Sequence, residues 1–327
     1  MFLVLVNLHV NLNQVKYFPI CLFAFNRPEK LSECIDALLK NSDCEFFELY
    51  VFCDGPRTDD EYEIVARVRS IAKNTRGFKR VHVYEADANR GLANSIIYGL
   101  DFVLKAHSGV IVLEDDIVVS PKFLKFINDS LNVYENIPEV GSVHGNFNSF
   151  HLKLPPTFFL KYFDCWGWGT WRDSWSLMIP DSLTLMKLIR DSKRINEFNV
   201  FGTYRFYDLL QKECSGVVDS WAIRWQASLF VNHRLSLYSK HSLVHNTGTD
   251  GSGAHEDHFR ILDRRLSREI PQLSKIPVKP NRAATLVFAF GLIQLRLSSL
   301  VAAGIKRIKV RNLLQICRSD SKSSESN

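Results

Sequence analysis

The stretch Phe18–Phe25 (FPICLFAF) is apolar without alternation and stops at Asn26-Arg27-Pro28, so it reads as a strand buried on both faces. Directly after it, Leu31, Cys34, Ile35, Leu38 and Leu39 mark the stripe of an amphipathic helix over 28–40, with Pro28 in its first turn. The couplet recurs. A strand Glu48–Cys53, ended by Asp54-Gly55-Pro56, precedes a helix over about 60–73; a strand Arg80–Glu85 precedes a helix over 91–105. A buried strand Gly109–Leu113 precedes a helix over 121–134, and another strand follows near Val140–His144. Two-sided strands separated by helices close their core as a parallel sheet wound in right-handed βαβ units, with helices on both faces. The predicted class is α/β, a Rossmann-like, mostly parallel sheet flanked by helices, with a C-terminal helical extension. Ligands of such sheets gather at the carboxyl ends of the strands, here Asn26-Arg27, Asp54 and Glu114-Asp115-Asp116.

The 327 residues, 46% of them apolar, suffice for one such domain plus an extension. The net charge of +6 is modest and reads as spread along the chain, which argues against nucleic acid and for an enzyme handling anionic ligands. Seven cysteines without a CxxC pair, Cys21 and Cys53 inside apolar runs, point to free thiols in a reducing compartment rather than disulfides or zinc. The opening MFLVLV is too short to span a membrane and lacks the marks of a signal peptide. The nearest candidate span, Thr285–Ile305, is interrupted by Gln294 and Arg296.

After residue 150 the pattern changes. Phe158–Trp175 is dense in aromatics and glycine, a helical stretch runs to about Cys214, and Ser220–Phe230 reads as another helix. A short strand, Leu235–Tyr238, leads to the glycine-rich loop Asn246–His255, and the polar tail 319–327 is predicted to be disordered.

Three consecutive carboxylates after a buried strand, Glu114-Asp115-Asp116, repel one another and cannot all be desolvated. Such a triplet is most simply an acidic turn facing water; its place after an apolar strand favours a hard divalent cation, Mn²⁺ or Mg²⁺, bridging to a diphosphate.

The segment GVIVLEDDIVVSPKFLKFI resembles the DxD-type metal and nucleotide-sugar motif of GT-A glycosyltransferases. Its Glu-Asp-Asp form is similar to that of the Golgi β-1,2-N-acetylglucosaminyltransferase family and its bacterial relatives. FPICLFAFNRP, LYVFCDGP and GSVHGNFN resemble further segments of that family in the same order, over about residues 18–255. The resemblance implies a GT-A fold and an inverting, metal-dependent transferase using a nucleoside-diphosphate sugar, with UDP favoured and GDP open. It implies that Asp116 ligates the metal, that Glu114 and Asp115 hold the donor's sugar and ribose, and that Asn26 and Arg27 lie beside the nucleotide. Asp54 would accept a hydrogen bond from the base. Arg90, with Gly91 at a helix start, suits a diphosphate or ribose and equally a solvated helix-start charge.

On the acceptor side, Trp166-Gly167-Trp168 resembles the family's acceptor loop; flat aromatic faces pack on sugars, although one Trp is expected in the core. An inverting transferase needs a carboxylate base. Asp219 is the candidate, one residue before the family's position, which is Ser220 here; it could equally cap the helix that starts there, and Asp164 and Glu256 stand in reserve. The loop 246–255 reads either as a closing active-site loop, in which His255 adds a metal ligand or meets the diphosphate, or as an ordinary surface loop. Leu286–Ile305 followed by Lys306, Arg307, Lys309 and Arg311 suggests peripheral membrane contact through 285–311.

The organisation read from sequence is a transferase domain over 17–262, its nucleotide-sugar half 17–120 and acceptor half 121–262. An apolar and basic extension follows over 283–318. The function is transfer of a sugar, such as GlcNAc from UDP-GlcNAc, to a glycan or lipid-linked acceptor in polysaccharide synthesis, on the cytoplasmic side of the membrane. A nucleotidyltransferase and a non-catalytic carbohydrate-binding protein are the alternatives.

Overall fold

The computed structural model describes residues 15–248, 266–267, 269 and 271–297. An eight-stranded sheet has the order β3 (Arg80–Glu85), β2 (Glu48–Cys53), β1 (Ile20–Ala24), β4 (Gly109–Glu114), β8 (Trp168–Trp171), β6 (Val140–His144), β9 (Leu235–Ser239), β7 (Thr157–Leu160), and a two-stranded sheet pairs β10 (Val244–Asn246) with β5 (Ile117–Val119). The first four strands in the order, β3, β2, β1 and β4, are mutually parallel. β8 then runs antiparallel to both β4 and β6. β9 is parallel to β6, and β7 closes the edge antiparallel to β9.

The apolar runs lack alternation because each strand feeds two cores. Ile20, Leu22 and Ala24 of β1 join one cluster with Leu31, Cys34, Ile35 and Leu38 of α1 (Pro28–Leu39) and Phe123, Ile127 and Leu131 of α4 (Phe123–Tyr134). Cys21 and Phe23 point the other way, into a cluster with Ile96, Leu100 and Val103 of α3 (Leu92–Ala106) and Trp221, Trp225 and Leu229 of α9 (Trp221–Val231). α2 (Tyr62–Asn74) adds Val68 and Ala72 to the first side. The result is a helix–sheet–helix sandwich in which the carboxyl ends of the parallel strands β1 to β4 face one way.

The acceptor half departs from the sequence reading. The aromatic and glycine-rich stretch holds two strands, β7 and β8, and β8 wedges between the parallel sets, so the sheet is mixed. The long helical stretch breaks into α5 (Arg172–Trp175), α6 (Ser182–Asp191), α7 (Ile195–Phe198) and α8 (Phe206–Cys214). Residues 282–297 form one further helix, α10. Among the described residues no helix is long and apolar enough to cross a membrane.

Candidate active site

The carboxyl ends of β1, β2 and β4 carry Arg27, Asp54 and Glu114-Asp115-Asp116 respectively. Arg27 immediately precedes the first turn of α1 and makes no side-chain bond to it; a cation there opposes the helix dipole and needs a partner. It finds two. Its Nη1 donates to Asp116 Oδ2 at 2.9 Å and its Nη2 donates to Asp115 Oδ1, so one guanidinium bridges both carboxylates. Asp115 and Asp116 are buried. Their remaining oxygens, Asp115 Oδ2 and Asp116 Oδ1, are buried without a hydrogen-bond partner among the described residues.

Burial first, then repulsion from Asp116 and Asp115, pushes the half-buried Glu114 carboxyl up to about 8, against the pull of Arg27. Burial also raises Asp115, to about 6, with Arg27 lowering it and Asp116 raising it. Burial and the negative charges of Glu114, Asp164 and Asp116 hold the Cys165 thiol well above its usual range, so it stays protonated.

Orphaned buried oxygens beside paired ones are what an acidic pair short of a cation looks like. Among the described residues no group of three or more His, Cys, Asp or Glu converges on a point. That is compatible with Mn²⁺ or Mg²⁺, which bind through one or two carboxylates and take the rest of their shell from phosphate and water. The fit is to a cation that arrives with its diphosphate.

A segment distant in sequence covers this cluster. β10 (Val244–Asn246) pairs antiparallel with β5 (Ile117–Val119), and Thr247 N–H then donates to the Asp116 carbonyl at 2.8 Å. Lys30 Nζ, one turn along α1 from Arg27, donates to the Thr247 carbonyl at 2.9 Å. Gly248 lies so close that a Cβ there would sit 2.1 Å from Asp116 Oδ2. The glycine-rich loop read in the sequence thus starts on the carboxylate cluster. Its His255 and the adjoining Glu256 lie outside the described residues. Sequence reasoning misses Lys30, and takes in Gly248 only as one glycine of the loop 246–255. A second cation at the start of α1 was the available signal for Lys30; nothing local marks Gly248, whose need for glycine is set by Asp116.

The buried Asp54 accepts backbone N–H bonds from Gly55 at 2.9 Å, Arg90 at 2.8 Å and Gly91 at 3.1 Å. Both its oxygens thus tie the end of β2 to the start of α3. Arg90 is exposed and its guanidinium lies 4.3 Å over the Tyr98 ring. Asn26 donates to Glu61 Oε1 at 3.2 Å. Asp219 has Arg224 Nη2 3.6 Å from its Oδ1 and keeps 63% of its side chain exposed. It stands beside the Arg90–Gly91 corner, since a Cβ on Gly91 would be 3.8 Å from Asp219 Oδ2. Ser220, not Asp219, caps α9, accepting from Ile223 N–H at 3.4 Å. Asp164 is half-buried and accepts from Asn146 Nδ2 at 2.8 Å and Trp166 N–H at 2.9 Å.

The acceptor triad divides. Trp166 is half-buried at the end of the Asp164–Trp166 loop. Trp168 is fully buried, stacked on Trp221 at 5.5 Å and edge-on to Phe163. It is therefore a core residue, a correction to its reading as an acceptor contact. Gly167 is buried too, at φ +62°, and a Cβ there would press on Val244 at 2.6 Å. Packing against β10 and the positive φ by themselves require glycine there.

A mostly parallel sheet with an acidic cluster and a basic clamp at the carboxyl ends of its strands is the setting in which an α/β enzyme binds an anionic ligand. The chain belongs to glycosyl transferase family 2, whose profile matches residues 20–209. It is a glycosyltransferase of GT-A, Rossmann-like architecture. No curated protein matches it in sequence. Solved structures with a similar fold include S. aureus TarS, at 13% identity and TM-score 0.41, aligned over 77% of this chain and 41% of that one. The galactosyltransferase LgtC, in complex with donor and acceptor sugar analogs, aligns at 10% identity and TM-score 0.37, over 67% of this chain and 72% of its own. The mannosyltransferase PcManGT from Pyrobaculum calidifontis, in complex with GDP-Man and Mn²⁺, aligns at 14% identity and TM-score 0.33, over 67% and 70%. The chain thus spans about two-fifths of the length of TarS.

Proposed function

We propose that the protein is an inverting, divalent-metal-dependent transferase. It carries a sugar from a UDP-sugar, UDP-GlcNAc first among them, to a glycan or lipid-linked saccharide in cell-surface polysaccharide synthesis. The observation that carries this reading is the pair of orphaned carboxylate oxygens on Asp115 and Asp116, bridged by Arg27 at the end of β4. The likeness of the Glu-Asp-Asp segment to the Golgi N-acetylglucosaminyltransferase brings UDP-GlcNAc forward. Asp116 would hold Mn²⁺ or Mg²⁺, which supplies charge neutralisation for the departing diphosphate.

Glu114 and Asp115 orient the donor sugar and ribose. Arg27, Asn26 and Arg90 line the nucleotide, and Asp54 serves by fixing the Arg90–Gly91 backbone. Trp166 offers an aromatic face to the acceptor. Asp219 takes the proton of the acceptor hydroxyl as its oxygen bonds to the anomeric carbon and the carbon–oxygen bond to the diphosphate breaks. Asp164 is the alternative base, and His255 meets the metal or diphosphate when the loop closes. Residues 17–262 form the catalytic domain, and 283–318 an extension that rests on the cytoplasmic face of the membrane.

Calorimetric titration of UDP, with and without Mn²⁺, tests the donor site. Wild type should bind UDP only with metal, and Asp116→Ala should weaken that binding by about 100-fold or more. Absence of metal-dependent binding with UDP, and then with GDP, would remove the proposal's support.

A further inference from the structure

α10 has two faces of different fate. Ala284, Val287 and Leu292 are buried against Phe158, Leu160, Tyr162 and Tyr238, which docks the helix on the β7 edge of the sheet. Leu286, Phe290, Ile293 and Leu297 recur at the spacing of one helical stripe and remain 70%, 45%, 40% and 52% exposed. A helix satisfied by packing on its own domain has no need of a second apolar stripe in water. Beside it, Val200 and Phe201 both hold positive φ, 51° and 55°, a conformation that β-branched and bulky residues avoid. That turn buries Val200 in the α10 cluster and leaves Phe201 60% exposed. Phe201, Ile293, Arg296 and Leu297 together line a shallow cavity of about 370 Å³.

Charge indicates what the stripe meets. Between residues 270 and 319 the sequence holds nine Lys or Arg and no Asp or Glu, which leaves the rest of the chain at a net −3. The basic character is thus massed in one stretch around and beyond α10, not spread as the overall composition suggests. Apolar side chains flanked by cations, without an anion among them, match the interface of an anionic bilayer: the side chains enter the acyl boundary and the Lys and Arg meet headgroup phosphates. An apolar protein partner would account for the stripe but not for the one-sided charge.

We propose that the outward face of α10, with Phe201 beside it, seats the enzyme on an anionic lipid bilayer. The placement bears on the acceptor. Phe150, in the loop leaving the carboxyl end of β6, packs edge-on against Phe290 at 5.1 Å. β6 runs parallel to β4, so that loop rises at the same sheet edge as Glu114-Asp115-Asp116. A bilayer on α10 therefore lies beside the acceptor side of the cleft and presents a lipid-linked saccharide to it. This deepens the membrane placement proposed above and is independent of the donor chemistry, so its failure would leave the UDP result untouched.

The test is co-sedimentation of the full chain with vesicles of phosphatidylcholine alone or mixed with phosphatidylglycerol. Wild type should sediment with the mixed vesicles, release in high salt, and stay in solution with phosphatidylcholine alone. Leu286→Ser/Leu297→Ser should weaken binding by about tenfold or more with an unchanged melting temperature. Lys306→Glu/Arg307→Glu should weaken it comparably. No sedimentation by wild type would overturn the proposal, as would equal sedimentation by the Leu variant. So would a wild-type dimer in solution that the Leu variant converts to monomer, since the stripe would then be a self-association surface.

Discussion

At the scale of residues, the most instructive group is Arg27. The sequence placed it beside a nucleotide; the structure has it bridging Asp115 and Asp116. A buried acidic pair needs a cation, and in this conformation the protein supplies its own. Replacing Arg27 with Met leaves two buried charges unpaired, which should lower stability by about 3–5 kcal/mol. If Mn²⁺ occupies the same carboxylates, it should raise the melting temperature of Arg27→Met more than that of wild type. Thermal unfolding with and without Mn²⁺ checks this, and equal shifts in the two proteins would separate Arg27 from the cation site. Glu114, Asp115 and Asp116 were legible because three adjacent carboxylates at the end of an apolar strand repel one another unless a cation joins them. Asp54 was legible as a strand-end residue but not in its partners, since backbone N–H groups 36 and 37 residues away leave no local mark.

At the scale of elements, strands buried on both faces declared themselves, because burial on both sides removes alternation. β2 and β6 fall where their sequence places them, and so does β3, which is only half-buried. β8 did not, because Trp-Gly-Thr-Trp carries the same composition whether its aromatic rings face a sugar or a core. The difference lies in Trp221, Trp225 and Phe163, which come from other elements and close over Trp168. Truncation of so buried a ring should be costly: Trp168→Ala is expected to lose about 3–5 kcal/mol in urea unfolding. Trp166→Ala, at a half-buried position, should lose about 1 kcal/mol or less and show instead a raised KM for acceptor. Comparable destabilisation by the two would erase the distinction drawn between core and cleft.

At the scale of the whole molecule, β8 joins the nucleotide half to the acceptor half, and His144 lies buried at that junction. Its Nδ1 donates to the Asp164 carbonyl at 2.8 Å, which leaves Nε2 to accept from Ser142 Oγ at 2.7 Å. Ser142 in turn meets Ser236 of β9, and the imidazole stacks on Tyr238 at 4.5 Å. Both ring nitrogens are thus committed in the neutral form, and neither bonds to a carboxylate that could pair a cation. Burial drives the imidazole down to about 3 from 6.5, opposed only by the bond to Asp164. The unfolded chain takes up a proton below about pH 6.5 that the folded chain refuses until about pH 3. Unfolding therefore absorbs a proton between those limits, and stability falls as pH falls through them, by up to about 1.4 kcal/mol per pH unit from this group. His144→Gln keeps a donor and an acceptor but cannot titrate. It should be less stable than wild type at pH 7, having lost the stacking, and that deficit should shrink by about 1–2 kcal/mol between pH 6.5 and pH 5. Urea unfolding of both proteins across that range decides the matter: stability curves that stay parallel would mean that His144 is charged or solvated in the folded protein, and that the two halves of the sheet meet around water instead of a sealed polar core.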